Sequence, residues 1–365
     1  MKAKSIIFIF VFLISLSIIP VYNITTHGTI LLTGRFKEVK ESLFNIDSVM
    51  SIAGAAGNLV GISSDADKVF FGKNKWLFLG ESFNHSVSKK INGSQGYERE
   101  IKHTINVMHG WQKLSKSIGV RGFYVLIGPD KDSIYTDELP QWYVQSKSTI
   151  TNELINGCDF YIKTPEILSK AKKETSDPLY FKTDTHWNEL GAYSAFKGLA
   201  KKSLNYKDKL IWPRGDLEFN SYTSEAGDLS RFQRSARFLS DVNVKITSPS
   251  VSNIDISVSS YKSGSILYTG KNELIESPKE PLLVHSPSAL NKVRALWLRD
   301  SFGTAMSRVM ASTFYETLQV HHGRTSPEEI KKIMLDYKPD YVIVTVVERD
   351  ELSKMFAFDP TTNTY

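Results

Sequence analysis

The sequence predicts an α/β fold in which a parallel sheet is covered by helices. Three observations predict it. From Val293 to Glu348 the chain alternates strand, turn, helix, strand, helix, strand, as VRALWL, RDS, FGTAMSRVMASTF, ETLQVHHG, SPEEIKKIMLDY and DYVIVTVVE. GFYVLIG reads as a further buried strand, running into a loop at Gly128-Pro129. Several intervening segments carry apolar residues at helical spacing. In such a sheet ligands bind beyond the carboxyl ends of the strands. Arg299-Asp300-Ser301, His322-Gly323-Arg324 and Glu348-Arg349 therefore point at one crevice.

The elements follow in order. Lys2 and Lys4 precede an uncharged run from Ser5 to Tyr22, a targeting segment rather than part of the fold. Pro20-Val21-Tyr22-Asn23 offers no small-x-small cleavage site. Residues 1–27 thus read as an uncleaved anchor with the body outside the cytoplasm, because positive residues stay inside. A cleaved signal is the alternative and leaves the compartment unchanged. Residues 28–65 read as a polar stalk with an amphipathic helix around FKEVKESLFNI, and residues 66–365 as one catalytic domain.

VFFGKNKWLFLGESF reads as a hairpin turning at Gly72-Lys73-Asn74. Ile101, Ile105, Met108, Trp111 and Leu114 mark a helix, and Thr164-Pro165-Glu166 opens another with a cap, a proline and an early acid. Trp187, Leu190, Tyr193, Phe196 and Leu199 form a further helical stripe. Residues 205–290 are rich in Ser, Asn, Asp and Gly, with short β-like runs such as VNVKITS and GSILYTG. They read as an irregular β-containing insertion or lid.

Of 365 residues, 41% are hydrophobic, enough to bury a sizeable core. The net charge of +6 suits an anionic partner such as an acidic polysaccharide or a membrane surface, or serves solubility alone. No nucleic-acid-binding signature accompanies it. The single cysteine, Cys158, rules out an internal disulfide, and NGCDFY offers nothing that would activate a thiol.

Two segments carry chemistry. YFKTDTHWNELGAY places Asp184 and His186 two residues apart at the mouth of a helix. Such a pair can hold a metal, orient each other for catalysis, or cap the helix. Ser301 lies where a strand turns sharply into a helix, which exposes a hydroxyl and aims helix N-terminal amides at the same spot. Alone it is equally an N-cap. A serine hydroxyl needs a base, and His186 with Asp184 supplies one.

These two segments resemble the SGNH-hydrolase-like domain of the alginate O-acetyltransferases, the AlgJ and AlgX type. So do GKNKWLFLGES, LIGPDKDSIYTDELP, GDLSRF at Gly227 and PDYVIVTVVER, in the same order from Val69 to Arg349. The resemblance implies a three-layer α/β/α SGNH-like fold with circularly permuted motifs, the serine coming last. It makes Ser301 the nucleophile, His186 the base and Asp184 the third member. Gly323-Arg324 falls where the second SGNH block would lie and Glu348-Arg349 where the third would. The usual third-block asparagine is missing, so Arg324 is the substitute oxyanion donor. Arg299, Lys131 and Tyr135 are further candidates for substrate contact. Trp76, Phe78 and Trp187 are aromatics that either stack on sugar rings or pack the core.

An anchor plus a single catalytic domain is the AlgJ-type arrangement. The resemblance implies an O-acetyltransferase in the periplasm of a Gram-negative bacterium, held to the inner membrane. Its acceptor would be an exported polysaccharide. No acyl-CoA is available there, so an integral membrane acyltransferase would relay the acetyl group, and no cofactor or metal is called for. Three rivals stand beside this reading. One is a metal-dependent hydrolase using Asp184, His186, Asp300, His321 and His322. Neighbouring His321 and His322 on a strand point to opposite faces, so at most one could join. The others are a non-catalytic glycan-binding protein and an acetylesterase, in which water rather than a sugar hydroxyl resolves the acyl-enzyme.

Overall fold

The structure is a computed structural model that describes residues 2–33, 36–204, 210–213 and 217–361. Twelve strands are described: β1 Val69–Phe71, β2 Leu77–Leu79, β3 Gly122–Gly128, β4 Tyr161–Ile162, β5 Phe219–Glu225, β6 Ser240–Ile246, β7 Asp255–Ser260, β8 Ile266–Lys271, β9 Leu282–His285, β10 Asn291–Arg299, β11 Phe314–His321 and β12 Tyr341–Val347. Eight of them form one sheet in the order β4-β3-β12-β10-β11-β9-β7-β8. From β4 to β11 neighbouring strands are parallel; β9, β7 and β8 continue the sheet antiparallel.

β3 and β12 are buried at every position, which is why they read as continuous apolar runs. Period-2 alternation sends their side chains to two cores. Ala295, Trp297, Tyr341 and Ile343 enter one, roofed by the helices Thr164–Glu174, Glu189–Leu204 and Ser307–Thr313. Leu296, Leu298, Val342 and Val344 enter the other, roofed by Glu98–Ser117 and Pro327–Tyr337. The result is the three-layer α/β/α arrangement. Ile101, Met108 and Trp111 are buried as the helical spacing predicts. The β1–β2 hairpin also forms as predicted.

Three elements differ from the sequence reading. Trp187 lies outside its helix, which starts at Glu189, and bridges to Tyr180 instead. Thr164 does not cap its helix; its hydroxyl donates to the Ile127 carbonyl and fastens the helix to β3. The 205–290 segment divides in two, with residues 205–209 and 214–216 outside the described residues. β5 and β6 make a separate antiparallel ribbon. β7, β8 and β9 are part of the main sheet, with Ile256, Val258 and Val284 packing on Ala311 as a small third core. One-sided burial of short antiparallel strands leaves only a faint apolar pattern, so these strands read as irregular.

At the N-terminus, helix α1 (Lys2–Thr33) contains Ile6–Thr26, long and apolar enough to cross a membrane at a mean hydropathy of 2.4. The expected stalk is two helices, α2 (Phe36–Leu43) and α3 (Asp47–Val60). Cys158 is buried, and burial pushes its thiol up to about 12, consistent with an inert side chain.

Candidate active site

Ser301 follows the last residue of β10 by two positions and opens a short 3-10 helix, Ser301–Met306. Asp300 shapes this turn. Its carboxylate accepts from Phe302 N at 2.9 Å, capping the helix, and from Val347 N at 2.7 Å, tying the turn to the end of β12. Burial alone would raise the Asp300 carboxyl, but His322 and those two amides hold it below the usual carboxylate range.

The acid and base sit on a segment of a different kind. Phe181–Thr185 has no regular secondary structure, so its backbone groups need partners from elsewhere. Charged side chains, two of them buried, provide most of them. The Lys131 ammonium donates to the carbonyls of Phe181, Lys182 and Asp184 at 2.9, 3.0 and 2.8 Å. The Asp241 carboxylate accepts from Lys182 N and Thr183 N at 3.0 and 2.7 Å. Asp228 accepts from Thr185 N at 2.8 Å and from the Thr185 hydroxyl at 2.7 Å. Ser230 N donates to the Thr183 carbonyl at 3.1 Å.

Gly227 permits the closest approach. A Cβ there would lie 2.2 Å from the Asp184 Cβ, where only hydrogen fits. The segment is then joined to the serine turn by Trp187, whose Nε1 donates to Phe302 O at 2.7 Å.

These two supports bring three side chains into line. Asp184 Oδ1 lies 2.6 Å from His186 Nδ1, and His186 Nε2 lies 2.8 Å from Ser301 Oγ. Asp184 is further bonded by His186 N at 3.0 Å and Asp228 N at 2.9 Å. Burial would raise its carboxyl, but the hydrogen bond and charge of His186, with these amides, hold it well below the usual range. Burial works against a charged His186, yet the Asp184 bond and the charges of Asp184 and Asp228 raise its pKa above the ordinary value, with Arg349 opposing. An oriented, electronically supported imidazole against a hydroxyl is the arrangement of a general base and its nucleophile. It opens into a cleft of about 430 Å³ whose walls include Asn243, Leu274, Glu276 and Arg231. The lining carries the carboxylates Asp184, Glu189, Asp228 and Glu276 against the single guanidinium of Arg231, so the chain's net positive charge is not concentrated there.

The family described as "SGNH hydrolase-like domain, acetyltransferase AlgX" matches residues 69–273. The chain belongs to this family. Three solved structures resemble it. Bacillus cereus PatB1 with a sulfonyl adduct is 17% identical, with 80% of this chain and 97% of that one covered, at a TM-score of 0.57. A DHHW family protein from Eubacterium siraeum is 14% identical, covering 69% and 86%, at 0.53. The O-acetyltransferase domain of Pseudomonas putida AlgJ is 16% identical, covering 80% and 95%, at 0.49. The first two likenesses show the shared fold. No curated protein sequence matches the chain.

In this AlgX-type domain the other residues singled out from sequence lie away from the reacting atoms. Arg299 is fully buried; its guanidinium donates to Gln319 Oε1 and to the carbonyls of Ile275, Glu276 and Asp300. Burial lowers its pKa to about 9. Arg324 donates to Pro278 O at 3.2 Å, and the exposed Gly323 spends its N–H on His321 Nδ1 at 3.1 Å. Neither borders the cleft.

Lys131 is no surface contact but the buried clamp just described, lying 5.4 Å from the ring centroids of both Trp76 and Phe78. Tyr135 is buried against Trp76, and its hydroxyl accepts from Leu179 N at 2.9 Å. Trp76 and Phe78 are thus core residues. Long polar side chains next to a site read as substrate contacts in a sequence; here backbone groups of the Leu179–Asp184 stretch have claimed them.

The grouping that the rival metal-dependent reading would need does not assemble. Among the described residues, Asp184, His186 and Asp228 are the three whose ligand atoms lie within 4.8 Å of one another; Asp300, His321 and His322 are not among them. His186 Nδ1 is already bonded to Asp184, and both Asp228 oxygens to Thr185. The donor atoms fit a hydrogen-bonded relay better than a coordination sphere. Asp228 and Asp241 are the supports that sequence reading missed. GDLSRF was visible as a motif, but nothing in it disclosed what its aspartate holds.

Proposed function

We propose that this chain is an O-acetyltransferase that carries an acetyl group on Ser301 and delivers it to a hydroxyl of an exported polysaccharide. The observation that carries the reading is the Asp184–His186–Ser301 line, with contacts of 2.6 and 2.8 Å, opening into the cleft. His186 Nε2 takes the Ser301 proton as Oγ attacks the acetyl carbonyl, and returns it to the departing donor oxygen. Acetyl-Ser301 remains. An acceptor hydroxyl then gives its proton to His186 as it attacks the ester, and His186 passes that proton to Ser301 Oγ as the Oγ–acyl bond breaks, leaving acetylated sugar and free serine.

Phe302 N and Gly303 N are spent on Asp300, which leaves the Ser301 N–H as the oxyanion donor of the turn. AlgX family membership and the apolar α1 helix support a body held outside the cytoplasm by an uncleaved membrane anchor. The acetyl group would there be relayed by an integral membrane acyltransferase.

A second reading is an acetylesterase, favoured by the openness of the cleft to solvent. Incubating the protein with an activated acetyl ester and a panel of oligosaccharides separates the two. The transferase reading expects acetylated sugar from the wild type and none from Ser301→Ala. Brisk ester hydrolysis with no sugar acetylated would make it an esterase.

A further inference from the structure

Helix α3 presents two unlike sides. One is docked on the body: a Cβ on Gly54 would lie 2.3 Å from the Gln233 carbonyl oxygen, and Asn58 is buried. Gln233 Oε1 accepts from Ser63 Oγ and Ser64 N at 3.0 Å each, and its Nε2 donates to Ile62 O at 3.1 Å, which fixes the end of the helix. On a helical period of about 3.6 residues, Val49, Ile52, Leu59 and Val60 fall on the opposite side. All four are exposed, Leu59 at 79% and Val60 at 68%. The only charged residue of α3, Asp47, lies at its N-terminal end and pairs with Arg234 at 3.7 Å. A contiguous apolar, uncharged helix face of this kind marks a contact surface.

The attachment of α1 indicates what covers it. Asn23 Nδ2 donates to Leu43 O at 2.9 Å and to Asn45 O at 2.8 Å, so the corner between α2 and α3 is level with Asn23. The apolar window ends at Thr26, about 4.5 Å further along the helix axis. Phe44 and Ile46, both exposed, therefore lie at the depth where α1 would leave the hydrocarbon.

We infer that α3 lies on the lipid surface with its Val49–Ile52–Leu59–Val60 face in the headgroup boundary, making the bilayer a second attachment for the body. The inference rests on the anchor reading of α1. α3 lies on the membrane rather than through it. Phe36–Val60 is long and apolar enough to cross as one helix, but it is broken between Leu43 and Asp47; the 14 residues of α3 span about 21 Å against a hydrocarbon core of about 30 Å, and its other side is buried on protein. Gln233 comes two residues after Arg231 of the cleft wall, so the bilayer contact would hold the cleft beside the membrane, where an embedded donor would present its acetyl group.

The test uses the full chain in phosphatidylethanolamine–phosphatidylglycerol vesicles containing a brominated phospholipid. An environment-sensitive fluorophore is placed on Leu59→Cys, Ile14→Cys or Lys173→Cys; native Cys158 is buried and inert. The expected result is strong quenching at 14 and 59 and none at 173. Quenching at 14 without quenching at 59 overturns the docking of α3 while the anchor stands. Quenching at neither removes the anchor and the inference with it. A label at 59 that is shielded from water but not quenched places protein rather than lipid on this face and also overturns it. Acetyl-ester turnover by the same labelled chains reads the enzymatic proposal separately.

Discussion

The serine turn and the Asp–His segment meet at two hydrogen bonds, His186 to Ser301 and Trp187 to Phe302, but are built in opposite ways. The turn inherits its position from regular structure: the central strand β10 points it, and one aspartate, Asp300, caps it and ties it to β12 through two hydrogen bonds. The Asp–His segment has no regular structure and is held from outside by Lys131, Asp228 and Asp241, drawn from three distant parts of the chain. A strand-borne group tolerates loss of a neighbour because the ladder remains. A segment held by a few remote charges does not. The two regions should therefore respond differently to substitution.

The largest effect belongs to the line they share. Ser301→Ala and His186→Ala should each lower kcat about 10⁶-fold and Asp184→Ala about 10⁴-fold, with the double variants no worse than the most damaging single one. Steady-state ester hydrolysis with a melting curve on each variant checks this; strictly multiplicative losses would mean that the three do not act as a unit.

Next comes the buried pair that joins the two regions from behind. Glu189, opening the helix after the Asp–His segment, lies 2.8 Å from Arg308 on the helix after the serine turn, and both side chains are almost fully buried. Arg308→Ala strands a buried carboxylate and should cost about 3–5 kcal/mol in chemical denaturation. A loss under about 1 kcal/mol, the range of an exposed pair, would show that the two regions are not braced there.

Lys131→Met removes the clamp alone. Misplacing the segment should lower kcat about 100-fold while the central sheet stays intact. Burial lowers the Lys131 pKa to about 8 against an ordinary 10.5, with Asp241, Asp184, Asp228 and Asp132 facing it and opposing that shift. Wild-type kcat should thus fall as pH rises through about 8, because the ammonium loses a donor. Over the same interval the unfolded chain binds more protons than the folded one, so this group's contribution to stability rises. The decline is local and not unfolding. An unchanged alkaline limb in Lys131→Met would separate the clamp from catalysis.

The smallest effect is electrostatic. Asp228→Asn keeps an acceptor for Thr185 but removes a charge that raises the His186 pKa. His186 must be neutral to act as a base, so the acid limb of kcat/KM should move to lower pH, with the plateau nearly unchanged. A limb that stays in place would assign the whole rise to Asp184.

The same contrast governs what the sequence disclosed. β3 and β12 are wholly buried and β10 and β11 are buried over most of their C-terminal halves, so apolar runs betray them, and the end of a strand betrays Ser301. Asp184 and His186 were legible because the two residues lie together in the chain. Their supports were not. Lys131 is about 50 residues from the carbonyls it serves, and a lysine in a loop reads as a solvent contact until those carbonyls are seen. Arg299 misled in the same way, its position beside Ser301 being visible and its burial not. α3 falls in the segment that reads as a polar stalk, whereas Gly54 is small because the Gln233 carbonyl lies against it.

The central claim is that Ser301 carries the acetyl group and that His186, oriented by Asp184, puts it there. Mass spectrometry of the intact protein after brief exposure to an activated acetyl ester, followed by peptide mapping, tests it most directly. The account predicts one added acetyl group on the peptide containing Ser301 in the wild type, and none in Ser301→Ala or in His186→Ala on the same timescale. An acetyl group on another residue, or undiminished turnover by Ser301→Ala, would contradict it.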